Sequence, residues 1–348
     1  MRLGVSYHGS RRLDHVERDL DAIAAAGASI VVHCLAEDDV AFRPARIGEL
    51  VRATRARGLE ALVDPWAVLG IFGGEALSFA MARDPGIRQR LSDGRAVPAA
   101  CPNQERTAGW LARWVAAAIE AGADGILWDE PHLWLPSWDD WNEGPLDAWS
   151  CGCDACRAAW ASRRHGSPGG PFPTTLSPAL RTFRTRSLLA LLEGGFAAAR
   201  AGGLRNLLTI LPVEPAAPEA LPWDEVAALP GLDGLGTDPY WFLHGEPVLP
   251  YVADHAARVV ATARAGAGGR PLRSHLWVAL FGVPPARAAE LETAVDAAAA
   301  AGIEELLVWS YPGGAVERPG ALPESEAWAI VAGAVRAAAI PAGAGGGR

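Results

Sequence analysis

Apolar residues along this chain fall into short runs of four to eight, each separated from the next by a longer Ala- and Arg-rich stretch with a helical period. One unit recurs: a helical stretch, a glycine near its end, then a β-branched or Leu-rich run. Ala24-Ala25-Ala26-Gly27 precedes Ser29-Ile30-Val31-Val32, Ala121-Gly122-Ala123-Asp124 precedes Gly125-Ile126-Leu127-Trp128, and Ala301-Gly302 precedes Leu306-Leu307-Val308-Trp309. A glycine that closes a helix and feeds a buried strand marks β/α units. The pattern predicts strands at 2–8, 28–35, 59–65, 125–130, 206–212, 232–238, 274–281 and 305–311. Helices are predicted near 12–26, 46–57, 105–121, 178–202, 250–265, 284–301 and 323–338.

Eight such units without sequence for a second domain imply an α/β fold, the (β/α)8 TIM barrel, over residues 1–340. A doubly wound sheet would carry a Gly-rich first turn, and Tyr7-His8-Gly9-Ser10 is not one. Long loops at 66–104 and 131–177 are expected to build the C-terminal mouth, and the Gly-rich residues 341–348 to form a flexible tail.

Composition narrows the chemistry. The formal charge of -9 argues against nucleic acid, and no apolar run has membrane-spanning length. The N-terminus enters a strand directly, which points to a cytoplasmic protein. A homo-oligomer is compatible with the Ala-rich helices. The chain contains no lysine, so Schiff-base aldolase, pyridoxal phosphate and Walker P-loop mechanisms are excluded.

Cys101, Cys151, Cys153 and Cys156 can supply a tetrahedral thiolate set for Zn²⁺; Cys34 is a spare thiol. Four ligands leave no open position, so the metal would be structural. It would brace the segment that presents Asp129 and Glu130.

Barrel sites lie at the C-terminal strand ends. Those ends carry His8, His33, Asp64 with Trp66, and Asp129 with Glu130 and His132. Further along come Thr209 and Glu214, then Asp238 with Tyr240 and Trp241, then Trp277, then Trp309 with Tyr311. Fourteen tryptophans is a high count, and Trp134, Trp138 and Trp141 add to the mouth. Indole faces suit the C–H faces of sugars, while carboxylates bind hydroxyls. Packing is the better reading for Trp128 and Trp277. Glycoside hydrolysis needs two carboxyl groups, one protonated and one ionised. Glu130 is expected as the acid and Asp238 as nucleophile or base, with Asp129 and Asp64 competing for the second role. His8, His33, Asp64, Trp66, His132, Tyr240, Trp241, Trp309 and Tyr311 are candidate substrate-binding residues. The Ser310–Gly314 turn is a weak phosphate-site signal.

Residues 95–165 resemble the catalytic barrel of glycoside hydrolase family 42, the zinc-containing β-galactosidases. Cys101-Pro102-Asn103 and Cys151-Gly152-Cys153-Asp154-Ala155-Cys156, followed by an aromatic helix, resemble that family's cysteine motifs. Trp128-Asp129-Glu130 falls where the family places Asn-Glu. The resemblance implies zinc on the four cysteines, Glu130 as proton donor, Asp129 in place of a substrate-binding Asn, and Trp309 as a sugar platform. It also implies a glutamate nucleophile ending the seventh strand, where His275-Leu276-Trp277-Val278-Ala279-Leu280-Phe281 holds no carboxylate. A carbohydrate-binding pseudoenzyme is therefore one alternative. A zinc-dependent methyltransferase-like barrel is the other, since Asp-Glu-Pro also ends a strand in cobalamin-independent methionine synthases.

Overall fold

Fully buried parallel strands read as continuous apolar runs because both faces are covered. The computed structural model bears this out and describes residues 1–8, 12–74, 77–136, 144–213, 217, 220–266, 270–313 and 318–339. Eight parallel strands close a barrel in chain order: Arg2–Tyr7, Ile30–Cys34, Glu60–Asp64, Gly125–Trp128, Arg205–Ile210, Gly234–Thr237, Arg273–Ala279 and Glu305–Trp309. The last pairs with the first in the register Arg2↔Glu305 to Val5↔Val308, which closes the ring. Every predicted strand is present, with ends differing by a few residues.

Strand residues alternate between two environments. Outward residues pack on helices such as Leu13–Ala25, whose Val16, Leu20 and Ile23 recur at the spacing of one helical face. Inward residues fill the barrel in layers. At the N-terminal end a ring of charges plugs the interior: Arg2 pairs with Glu60 at 2.7 Å and with Glu305 at 3.1 Å, Arg273 pairs with Glu305 at 2.6 Å, and Arg205 pairs with Glu60. Above it lie Ile30, Val32, Leu62, Leu127, Leu207, Trp277 and Leu307. Gly236 is required there, because a Cβ on it would fall 2.1 Å from the His275 ring. His275 in turn contacts Thr209 Oγ1 at 3.1 Å.

Two excursions depart from the β/α rhythm. After the third strand comes an antiparallel hairpin, Arg88–Arg90 with Ala96–Ala100, which the sequence pattern did not reveal. After the fourth come the helix Asp154–Ala161 and the long helix Pro178–Ala201. The latter starts where Ser177 caps the Leu180 amide and proline occupies the first turn. Among the described residues no helix is long and apolar enough to cross a membrane.

Candidate functional site

A cavity of about 710 Å³ opens at the C-terminal ends of the strands. Its floor and walls include Asp129, Glu130, Asp238, Tyr240, Trp277 and Trp309. Consecutive residues of an extended strand point to opposite faces. Asp129 and Glu130 nevertheless both reach the cavity, because Glu130 adopts a left-handed backbone with φ +38° and turns its side chain back. Gly73 packs against the pair: a Cβ there would meet Asp129 Oδ2 at 2.2 Å and Glu130 Oε2 at 3.2 Å. The Gly73 amide also donates to the Asp129 carbonyl at 3.0 Å.

Asp238 is buried, its Oδ1 has no hydrogen-bond partner among the described residues, and its carboxyl group is close enough to that of Glu130 for the two to interact. Two neighbouring buried carboxyl groups escape like-charge repulsion when one of them carries a proton. Burial first, then the charge of Glu130, pushes the Asp238 pKa well above the usual carboxylate range. Burial followed by the charges of Glu130 and Asp64 does the same to Asp129. Asp64 is buried too, with its pKa raised by burial and then by Glu130, while the neighbouring Cys34 acts in the opposite direction. Four carboxyl groups thus interact at the C-terminal strand ends, three of them, Asp129, Glu130 and Asp238, lining the cavity.

His8 is stacked between two indoles, with ring centroids 5.3 Å from Trp66 and 5.1 Å from Trp309. Burial lowers its pKa to about 4, so the imidazole is neutral. Trp66 stands behind Gly74, a residue of the cavity wall. His132 lines the cavity and contacts the Glu130 carbonyl through Nδ1 at 2.6 Å. Tyr240 lines it too, its pKa raised well above normal by burial and then by Asp238.

Of the candidates, His8, Asp64 and Trp66 are not among the lining residues, and three more turn away from the cavity altogether. His33 points outward to the helix layer, where its Nε2 meets Thr54 Oγ1 at 2.8 Å. Trp241 is wholly buried, with its indole N–H donated to Glu290 at 2.5 Å. Tyr311 packs beside Tyr7 and Trp328, with ring centroids 6.0 and 6.1 Å away. Nor is the turn after the last strand free to hold phosphate, because the Gly313 amide already donates to Glu324 at 2.8 Å. Trp138, Trp141, Glu214 and Gly314 lie outside the described residues.

Trp277 was expected as packing, yet it lines the cavity. Its N–H is donated to Thr209 Oγ1 at 2.9 Å, and its ring meets Trp309 edge-on. Its phase on the seventh strand, two residues after inward His275, is the signal that would have found it. Trp128 is core, packed on Phe72 and Phe196.

Away from the cavity, Cys101, Cys151, Cys153 and Cys156 are buried, and their sulfurs all lie within 4.8 Å of one another. Cys101 is 3.4 Å from both Cys153 and Cys156. A tetrahedral zinc with 2.3 Å bonds requires sulfurs about 3.8 Å apart, so these four residues could hold such an ion. Contact with Cys101 lowers the pKa of the Cys151 and Cys153 thiols, and contact with Cys151 raises that of Cys101. Trp160 and Phe183 pack around the cluster. The Asn103 amide donates to Cys156 Sγ at 3.4 Å.

No family model matches this chain, and no curated protein does. Solved structures share its fold. The catalytic domain of β-amylase from Paenibacillus polymyxa superposes with a TM-score of 0.67 at 13% identity, covering 96% of this chain and 98% of its own. The endo-1,4-β-mannanase of Rhizomucor miehei gives 0.61 at 11% identity, covering 97% and 94%. A D-psicose 3-epimerase, solved in the presence of D-fructose, gives 0.52 at 11% identity, covering 97% of each chain. The barrel is thus one that glycoside hydrolases use, and a sugar epimerase uses it too. The specific resemblance to family 42 has no counterpart among these matches.

Proposed function

We propose that this chain is a glycoside hydrolase that acts with retention of configuration through Glu130 and Asp238. The observation that carries the reading is the pair of interacting carboxyl groups that line one aromatic-walled cavity at the barrel mouth. Retaining hydrolases separate their carboxyl groups by about 5–5.5 Å and inverting ones by roughly 6.5–9.5 Å. We assign this closely interacting pair to the short side.

The electrostatics favour a division of roles opposite to the one expected from sequence. Asp238 is the more enclosed member and its neutral form is preferred, so it is the proton donor. Glu130, the more exposed member, is the nucleophile. Asp238 gives its proton to the glycosidic oxygen as the C–O bond breaks, and Glu130 bonds to the anomeric carbon. Water then displaces Glu130 while Asp238 takes back a proton, releasing the free sugar. Trp309 and Trp277 offer the sugar apolar faces, and Asp129, His132 and Tyr240 surround it with polar groups, with His8, Asp64 and Trp66 backing that lining. Zinc on the four cysteines would supply cross-linking alone, because four thiolates fill its coordination.

A second reading is kept by the seventh strand, whose inward residues His275, Trp277 and Ala279 include no carboxylate. On that reading the chain binds carbohydrate without cleaving it. The methyltransferase-like alternative needs an open metal position, which a closed four-cysteine set does not offer. The test is turnover on a broad panel of oligosaccharides and aryl glycosides, with the first-formed anomer read by proton NMR. A product of retained configuration supports the proposal. Inverted product would overturn the mechanism, and tight binding without turnover would favour the second reading.

A further inference from the structure

The cavity's rim on the side of the last two strands is built differently from its acidic floor. Arg318 lies there with its guanidinium 5.3 Å from the centre of the Phe281 ring. Phe281 meets Tyr240 edge-on at 6.2 Å, and the Tyr240 amide donates to the Asp238 carbonyl at 2.7 Å. A ladder of side chains thus runs from the exposed arginine down to the carboxyl pair. Arg318 is the only arginine among the described lining residues. Gly282 takes a left-handed backbone with φ +65°, and a Cβ on it would lie 2.9 Å from Arg318 Cδ. The backbone therefore leaves a groove along which the arginine side chain extends.

A guanidinium flat on an aromatic ring keeps its edge donors free. The Arg318 side chain has no ion-pair or hydrogen-bond partner among the described residues, so those donors await an acceptor. We infer that the substrate carries an anionic substituent, a carboxylate or a phosphate, which Arg318 binds at the rim while the glycosidic bond lies at the carboxyl pair. This rests on the proposed hydrolase reading and narrows its substrate class. The overall charge of -9 disfavours polyanions, so one local cation selects for a small, singly substituted sugar.

The test separates binding from turnover. Calorimetry would measure the wild type, Arg318→Gln and Arg318→Lys with glucose, galactose and mannose, with their uronic acids and with their 6-phosphates. The wild type is expected to bind at least one anionic series about tenfold more tightly than the parent sugars, as a charge-assisted pair would give. Arg318→Gln should abolish that preference, bringing anionic and neutral sugars to equal affinity, and Arg318→Lys should restore part of it. The uronate and phosphate arms decide between the two sources of charge. Equal affinity for neutral and anionic sugars, absence of anionic-sugar binding, or an undiminished preference in Arg318→Gln would each overturn the inference. Anionic preference without any hydrolysis would instead leave it standing and remove the hydrolase reading.

Discussion

Gln89 joins the cysteine cluster to the cavity: its side-chain oxygen accepts the Trp134 amide at 3.1 Å, while its amide nitrogen donates to the Ala100 carbonyl at 2.9 Å. Ala100 immediately precedes Cys101, and Trp134 lines the cavity. On the other arm, the Gly152 amide donates to the Arg90 carbonyl at 2.8 Å. The hairpin is thereby held between the two cysteine-bearing segments, and a fully buried glutamine passes its position to the wall. Gln89→Leu would strand both backbone groups in the interior, at a cost of about 1–3 kcal/mol. A melting temperature lowered by roughly 2–6 °C is expected, with metal content unchanged and KM raised more than kcat is lowered. Unchanged KM would show that the hairpin does not set the wall.

Metal analysis of the purified protein should find about one zinc per chain, with Cys151→Ser binding less. Ligand loss in a site of this kind removes folding energy outright. Chelation or the Cys151 variant is expected to lower the melting temperature by roughly 5–10 °C. A metal-free protein as stable as the wild type would refute a structural metal.

Gly73→Ala places a methyl carbon against both Asp129 and Glu130. A displacement of about 1 Å in a reacting group can cost roughly 100-fold in rate, and a loss of that order in kcat/KM is expected. Gly194→Ala is the control: it lies in the helix Pro178–Ala201, and no atom lies within 4 Å of its added Cβ. That variant should gain about 0.5–1 kcal/mol from helix propensity and keep full activity. Equal activity of the two variants would show that the approach of Gly73 to the pair is immaterial.

Asp64→Asn tests the buried acid by its pH dependence. Burial raises the folded-state pKa of Asp64 above the reference value of 3.8. Its neutral form stabilises the fold fully below 3.8, and that contribution fades as pH rises through the folded value. The melting temperature of the variant relative to wild type should therefore climb between pH 4 and pH 8. The histidines act in the opposite direction: His33 is lowered to about 4 and His275 to about 3 from 6.5, so their contribution is lost as pH falls below 6.5. Because these histidines are common to both proteins, the difference reports Asp64 together with the neighbouring carboxyl groups it acts on. A pH-independent difference would mean that Asp64 titrates normally.

The barrel was legible because eight short apolar runs, each fed by a glycine-ended helix, allow few other closures. Asp129, Glu130 and Asp238 were legible as polar residues at strand ends. The facing of individual side chains was less so. In Ile30–Cys34 every residue is buried, so hydrophobicity carries no phase, and nothing distinguishes outward His33 from inward Cys34. Trp241 and Tyr311 follow their strands by a few residues, where the chain has already turned away from the barrel axis. The hairpin stayed hidden because Arg88-Gln89-Arg90 offers no apolar alternation, its one inward residue being the glutamine that bonds to Trp134. The left-handed turn at Glu130, which brings two adjacent acids into one cavity, is a backbone property that residue identity does not announce.

The most direct measurement is the dependence of kcat/KM on the leaving group for Asp238→Asn and Glu130→Gln, with and without azide. If Asp238 is the acid and Glu130 the nucleophile, Asp238→Asn keeps activity on activated aryl glycosides but loses about 100-fold or more on natural linkages. Glu130→Gln should lose activity on every substrate, and the smaller Glu130→Ala should regain turnover with azide as a glycosyl azide of inverted configuration. Reversal of the two patterns would restore the roles expected from the sequence. Undiminished hydrolysis of natural linkages by both variants would contradict the carboxyl pair as the catalytic centre.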